Sequence, residues 1–136
     1  MIKITDKPIQ IEEATKAATA LGSGAINVFV GTVRNESKGK TVRWLEYEAF
    51  ESMAVSEIKK ITQQASEKWR IEGCAVIHRV GTLHPGDTAV VIAVSTPHRK
   101  ESFEACQFII DTIKERVPIF KKEVFENGEE WVSATP

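Results

Sequence analysis

Apolar positions recur at helical spacing in three stretches of the chain, and dense β-branched runs separate them. Ile11, Ala14, Ala18 and Leu21 lie on one face of a first helix that stops at the Gly22-Ser23-Gly24 breaker. Ala54, Ile58, Ile61, Ala65 and Trp69 mark a longer second helix, whose opposite face, with Glu57, Lys60, Gln64 and Glu67, is expected in solvent. Phe103, Cys106, Ile110, Ile113 and Val117 mark a third. Thr96-Pro97 is expected to open it as N-cap and first-turn residues, and Pro118 to close it.

The intervening runs read as strands. Ile2 to Ile4 makes a short one, and Ala25 to Val33 is apolar without clean alternation, the pattern of a strand covered on both faces. The polar segment Asn35 to Lys40 reads as an exposed loop before a strand over Thr41 to Ala49, where Val42, Trp44 and Tyr47 supply β-favouring bulk. Ala75 to Leu83 and Thr88 to Ser95 form an antiparallel hairpin across His84-Pro85-Gly86-Asp87, because Pro then Gly suits the centre of a type II turn. Phe120 to Phe125 and Trp131-Val132 flank Glu126-Asn127-Gly128-Glu129, a second hairpin signal. This order of elements predicts an α+β domain with about three helices and a largely antiparallel sheet. No repeat or linker composition divides it, so residues 1–136 are expected to form a single domain.

Charge narrows the function. Eighteen Lys and Arg against nineteen Asp and Glu leave a net charge of -1, which argues against a nucleic-acid binder that neutralises phosphate in bulk. Any anion site must therefore be local. The N-terminus carries no apolar signal core and no run is long enough to cross a bilayer, so a cytoplasmic protein with no membrane partner is expected. Cys74 and Cys106 stand outside any CxxC pair and read as small buried hydrophobes.

Five residues then suggest one cationic pocket for a small anion: Arg34, His98, Arg99, Lys114 and Lys121. His98 and Arg99 fall where a buried strand hands over to a helix, so free N–H groups and the positive dipole end favour an anion there. Lys114 sits in the last turn of the same helix. Lys121 follows after Pro118 has turned the chain toward strand. Arg34 ends an apolar strand, from which a guanidinium can grip phosphate or carboxylate bidentately. Each also has an ordinary surface explanation: helix-start solvation, compensation of the dipole, or snorkelling. Strand alternation lets only one of Lys121 and Lys122 share a side with Lys114. His78, Arg79 and His84 do not converge as metal ligands, since His78 and Arg79 point to opposite strand faces. The chain has no HExxH, finger spacing, GxGxxG, P-loop or GxSxG, and no metal or cofactor is expected.

Four ordered segments carry a resemblance. They are Val28-Phe29-Val30-Gly31-Thr32-Val33-Arg34-Asn35; Val76 to Gly81 with Pro85-Gly86-Asp87; Thr96 to Arg99 with Phe103-Glu104-Ala105; and Ile113-Lys114 through Pro118 to Lys121-Lys122-Glu123. Across nearly the whole chain the sequence resembles the MoaE family, the large catalytic subunits of molybdopterin synthase. The resemblance implies an α/β hammerhead-type fold and a homodimer within a heterotetramer that includes two small ubiquitin-like sulfur-carrier subunits. The carrier's C-terminal Gly-Gly thiocarboxylate would pass sulfur to cyclic pyranopterin monophosphate, two transfers building the dithiolene of molybdopterin. Carried over by position, Thr32, Val33, Arg34, His98, Arg99, Lys114, Lys121, Lys122 and Glu123 would contact substrate. Lys114 and Lys121 would be the catalytic pair, and Phe29 and Ile110 would shape the pocket.

Lysines set close together beside arginines disfavour one another's protonation, which would suit one of them to proton transfer near neutral pH. Some relatives carry a longer, more basic C-terminal tail, whereas no basic residue follows Lys122 here, and this bears on how far two neighbouring sites share residues. Two other functions fit the same cations: a module that binds a phosphorylated metabolite without turnover, and an interaction scaffold. The binder would tolerate Lys→Arg at 114 and 121. The scaffold would survive loss of all the cations.

Overall fold

Alternation along one strand explains the layering. In β7 (Thr88–Thr96), Val90, Ile92 and Val94 enter one core, while Val91 and Ala93 enter a second core on the other face. A strand buried on both faces has no polar side to show, hence its unbroken apolar run. The structure, a computed structural model, describes residues 1–133, with side chains described as far as Gly128.

β7 is central to a four-stranded sheet of order β1-β5-β7-β2, with β1 at Ile2–Thr5, β5 at Gly73–Arg79 and β2 at Ala25–Thr32. The β1–β5 pair is parallel, and every other strand pair described is antiparallel. Helix α1 (Ile11–Ala18) covers one face through Ala14 and Ala18, small enough for close approach to Ala75, Ile77, Val91 and Ala93. The other face carries the main core, built with α2 (Glu51–Lys68) and α3 (Arg99–Arg116).

A second sheet runs β3-β4-β8-β9, where β3 is Glu36–Ser37, β4 is Lys40–Ala49, β8 is Ile119–Phe125 and β9 is Gly128–Ser133. The strand expected over Ala75 to Leu83 divides between the sheets. After β5 the chain turns at Gly81, whose φ of 95° is open to glycine but costly for other residues. Gly81–Leu83 then forms β6 and pairs with β4, Tyr47 opposite Gly81 and Leu45 opposite Leu83. The two sheets are thereby stitched together beside Tyr47. The expected hairpin survives as the β5–β7 pairing, closed by an Asp87 N–H to His84 O hydrogen bond of 2.9 Å.

Other expectations change in detail. The first helix ends at Ala18, leaving Leu21 fully exposed, and Phe103 is exposed while Ser102, Ala105 and Ile109 join the buried face of α3. Thr96 is not the N-cap of α3; it ends β7, and its hydroxyl donates to the His98 carbonyl at 2.6 Å, leaving His98 at the cap position without a side-chain hydrogen bond. The outer face of α2 is not all solvent: Glu57 and Gln64 accept hydrogen bonds from Arg116 of α3 at 2.7 and 2.8 Å. The supposed loop over 35–40 holds a tight hairpin turned at Lys38 and Gly39, both with positive φ, as a type I′ turn requires. Ala134, Thr135 and Pro136, the end of the short tail, lie outside the described residues. Among the described residues no helix is long and apolar enough to cross a membrane.

Candidate active site

Where the two sheets and α3 meet, a cavity of about 300 Å³ opens. Its cations arrive from three elements. Arg34 leaves the end of β2, held there because Val33 donates its N–H to the Asp87 carbonyl at 3.0 Å and accepts from Gly86 at 2.8 Å. Lys114 comes from the last turn of α3. Pro118 cannot continue that helix, and β8 begins at Ile119, so the chain doubles back and brings Lys121 to the same wall. Thr32 and Val33 also line the cavity, and Phe29 and Ile110 form part of its apolar wall.

Lys121 is half-buried, and its ammonium is held below the usual lysine range chiefly by burial. The Glu123 carboxylate opposes that shift, and the charges of Lys114, Arg34 and Lys38 add to it. The mutual discouragement of protonation expected from the sequence thus operates on Lys121. Glu123, two residues on and therefore on the same strand face, also lines the cavity; it is buried, and its Oε1 has no hydrogen-bond partner.

Sequence reasoning passed over three further walls. Tyr47 of β4 and His78 of β5 both line the cavity, packed edge to face with ring centroids 5.3 Å apart. Burial, with Glu123 adding to it, pushes the Tyr47 phenol up to about 12, so it stays protonated. Burial pushes His78 down to about 4, against the pull of its hydrogen bond to the Arg79 carbonyl and with help from the Lys114 charge. Its Nδ1 lies 2.8 Å from the Arg79 carbonyl, so Nδ1 carries the proton and Nε2 the lone pair. Glu36 and Ser37 of the β3–β4 hairpin close another side. A histidine set in an apolar run, Val76-Ile77-His78, was the available signal for one of these walls.

Three residues expected at the site stand elsewhere in the chain. Lys122 points to the opposite face of β8, where its Nζ lies 3.0 Å from Glu46 Oε2, its register partner on β4. His98 and Arg99 are exposed at the start of α3 and do not line the cavity. At 1.5 Å per residue, the axial rise from Arg99 to Lys114 is about 22 Å, too far for either side chain to share one cavity with Lys114 in the same chain. Within one chain, the cavity therefore holds three of the five cations expected to share a pocket.

Burial pushes both cysteine thiols up to about 11, which leaves neither as a ready nucleophile. Among the described residues no group of three or more His, Cys, Asp or Glu is placed to hold a metal ion.

Comparison with known proteins places the chain in a family. The model of the MoaE protein family matches residues 4–116. The chain is 47% identical to the molybdopterin synthase catalytic subunit of Bacillus subtilis, over 96% of this chain and 83% of that one. It is 40% identical to the human molybdopterin synthase catalytic subunit, over 96% of this chain and 70% of that one. The crystal structure of molybdopterin synthase from Staphylococcus aureus superposes with a TM-score of 0.92 at 42% identity, covering 96% of this chain and 95% of that one. The chain belongs to the MoaE protein family.

Proposed function

We propose that this chain is the catalytic subunit of a molybdopterin synthase, and that the cavity between the sheets is where sulfur is transferred. The observation that carries this reading is the convergence of Arg34, Lys114 and Lys121 on one cavity, with Lys121 held short of full lysine basicity. The substrate, cyclic pyranopterin monophosphate, needs cations to hold its phosphate. The sulfur arrives as the C-terminal thiocarboxylate of a small ubiquitin-like partner, a slender anion that the same cations attract. With the nucleophile brought by the partner, no cysteine of this chain is required.

The thiocarboxylate sulfur bonds to carbon as a carbon–oxygen bond of the cyclic phosphate breaks, leaving charge on the departing oxygen, which a nearby ammonium stabilises and protonates. Water then cleaves the resulting thioester, leaving sulfur on the product and a carboxylate on the carrier. Lys121 suits that proton transfer because its charged form is already disfavoured. Lys114 and Arg34 serve as holders, and an arginine gives a planar bidentate grip on phosphate. His98 and Arg99 cannot reach the cavity of their own chain, so on this reading they serve the cavity of a second copy within the homodimer.

The test is reconstitution. The chain mixed with a thiocarboxylated small subunit and cyclic pyranopterin monophosphate is expected to yield molybdopterin. An assembled complex that turns over no substrate would sink the proposal.

A further inference from the structure

The walls of the cavity differ in sign. Arg34, Lys114 and Lys121 are donors only, whereas Tyr47, His78 and Glu123 bring together two acceptors and one hydroxyl. His78 has a fixed tautomer, because its Nδ1 is engaged by the Arg79 carbonyl, and Nε2 is left as an acceptor with no hydrogen-bond partner among the described residues. Glu123 is 4% exposed, and its Oε1 has no donor, a costly arrangement for a carboxylate unless a ligand or ordered water completes it. Tyr47 braces the imidazole ring edge to face, and its pairing with Gly81 fixes it where the sheets join.

Toward an anion, a buried carboxylate and a histidine lone pair are repulsive, although Glu123 also helps keep Lys121 charged. Such groups match a ligand that is anionic at one end and rich in N–H donors at the other. We infer that Tyr47, His78 and Glu123 form a second subsite that takes the donor edge of a 2-aminopyrimidinone ring, while the cations hold the phosphate of the same molecule. This rests on the substrate proposed above, whose pterin ring carries that edge: an exocyclic amine beside a ring N–H, the pair a carboxylate accepts as a fork. Neither His78 nor Tyr47 touches the reacting atoms on this account; they select and orient the substrate.

The two readings can be tested apart. Pterin and lumazine differ at one position, where lumazine replaces the 2-amino donor by a carbonyl acceptor. Binding of each to the wild-type chain is read by ligand fluorescence, without partner or turnover. The subsite predicts at least a tenfold preference for pterin. Equal binding of the two, or no pterin binding at millimolar concentration, overturns it while leaving the sulfur-transfer reading standing. His78→Phe is expected to lower the preference severalfold, since Glu123 still accepts from the 2-amino group, and His78→Gln, which keeps an acceptor near Nε2, to retain most of it. An unchanged preference in a folded His78→Phe chain also overturns the proposal. In the assembled synthase, His78→Phe is expected to raise KM for the substrate at least tenfold with kcat within about threefold; the reverse split would assign His78 to the chemical step and overturn the proposal as stated. The wild-type comparison needs no variant, so a folding defect in His78→Phe leaves the test intact. Conversely, a wild-type complex that makes no molybdopterin but prefers pterin would remove the proposed function and keep the subsite.

Discussion

The two ends of α3 carry the same kind of residue in different settings. At the C-terminal end, Lys114 is itself exposed but lines a cavity between the two sheets, beside Arg34 and the half-buried Lys121. At the N-terminal end, His98 and Arg99 project into solvent beside free helix N–H groups, with no wall opposite them in the same chain. A helix start attracts anions, but enclosure alters what a cation does: it strips water, brings like charges together and lowers basicity. Within one chain, only the C-terminal end borders such an enclosed cation, the half-buried Lys121. The exposed end becomes part of a site only if another molecule covers it.

The largest expected effect tests that last statement. Arg99→Ala and Lys121→Ala chains should each lose about 100-fold or more in molybdopterin formation when prepared alone. Mixed in equal amounts and fully exchanged, they should regain about a quarter of the wild-type rate, since about half the dimers are mixed and each of those holds one site of two with both residues native, as follows from treating the two ends as parts of shared sites. No recovery on mixing, with dimer exchange verified, would return His98 and Arg99 to ordinary surface roles.

Next comes acid stability. His78 titrates at 6.5 when unfolded and at about 4 when folded, so the folded state binds fewer protons between those values. Its contribution is complete above pH 6.5 and is lost as pH falls toward 4, on the order of 3 kcal/mol in all. Urea midpoints for His78→Gln should therefore fall less steeply than wild type across that window. Equal slopes would mean that His78 is hydrated.

Arg34→Ala should raise KM for the substrate about 10- to 100-fold, the range for a lost charged hydrogen bond, with a smaller change in kcat. A fall in kcat alone would move Arg34 from holder to participant. The smallest effect is on Lys121. Because its folded pKa lies below the unfolded one, its charge costs stability at neutral pH, and stability recovers as pH rises through the folded value toward the unfolded one. Lys121→Gln should stabilise the chain at pH 7, by under about 1 kcal/mol once solvent screening of a half-exposed side chain is allowed for, and should flatten the alkaline rise. Destabilisation instead would show Lys121 to be a net structural contact.

Much of this frame could be read from residue pattern. The stripe Ala54, Ile58, Ile61 and Ala65 is the buried face of α2, and the apolar run of β7 is covered on both sides. Chain path defeated the rest. Periodicity carries a strand through Val80, but a positive φ at Gly81 sends it to another sheet; the lone glycine signals a break, and nothing local says which strand the chain joins after it. Lys114 and Lys121 were legible as a pair because Pro118 reverses the chain between them, a local event. His78 and Tyr47 were not, because their meeting depends on two strands of different sheets. His98 and Arg99 looked like neighbours of Lys114 through their shared helix, yet its length separates them. Lys122 shows alternation at work: one residue from Lys121, it faces Glu46 instead of the cavity.

The most direct test of the central claim is the pH dependence of single-turnover sulfur transfer in the assembled synthase, wild type against Lys121→Arg. If Lys121 donates the proton, the wild-type rate falls as pH rises through its lowered pKa, below the usual lysine range. The arginine variant, charged throughout, should be slower by about 100-fold or more, with that limb absent. A Lys121→Arg enzyme with the wild-type rate and the same profile would contradict the account.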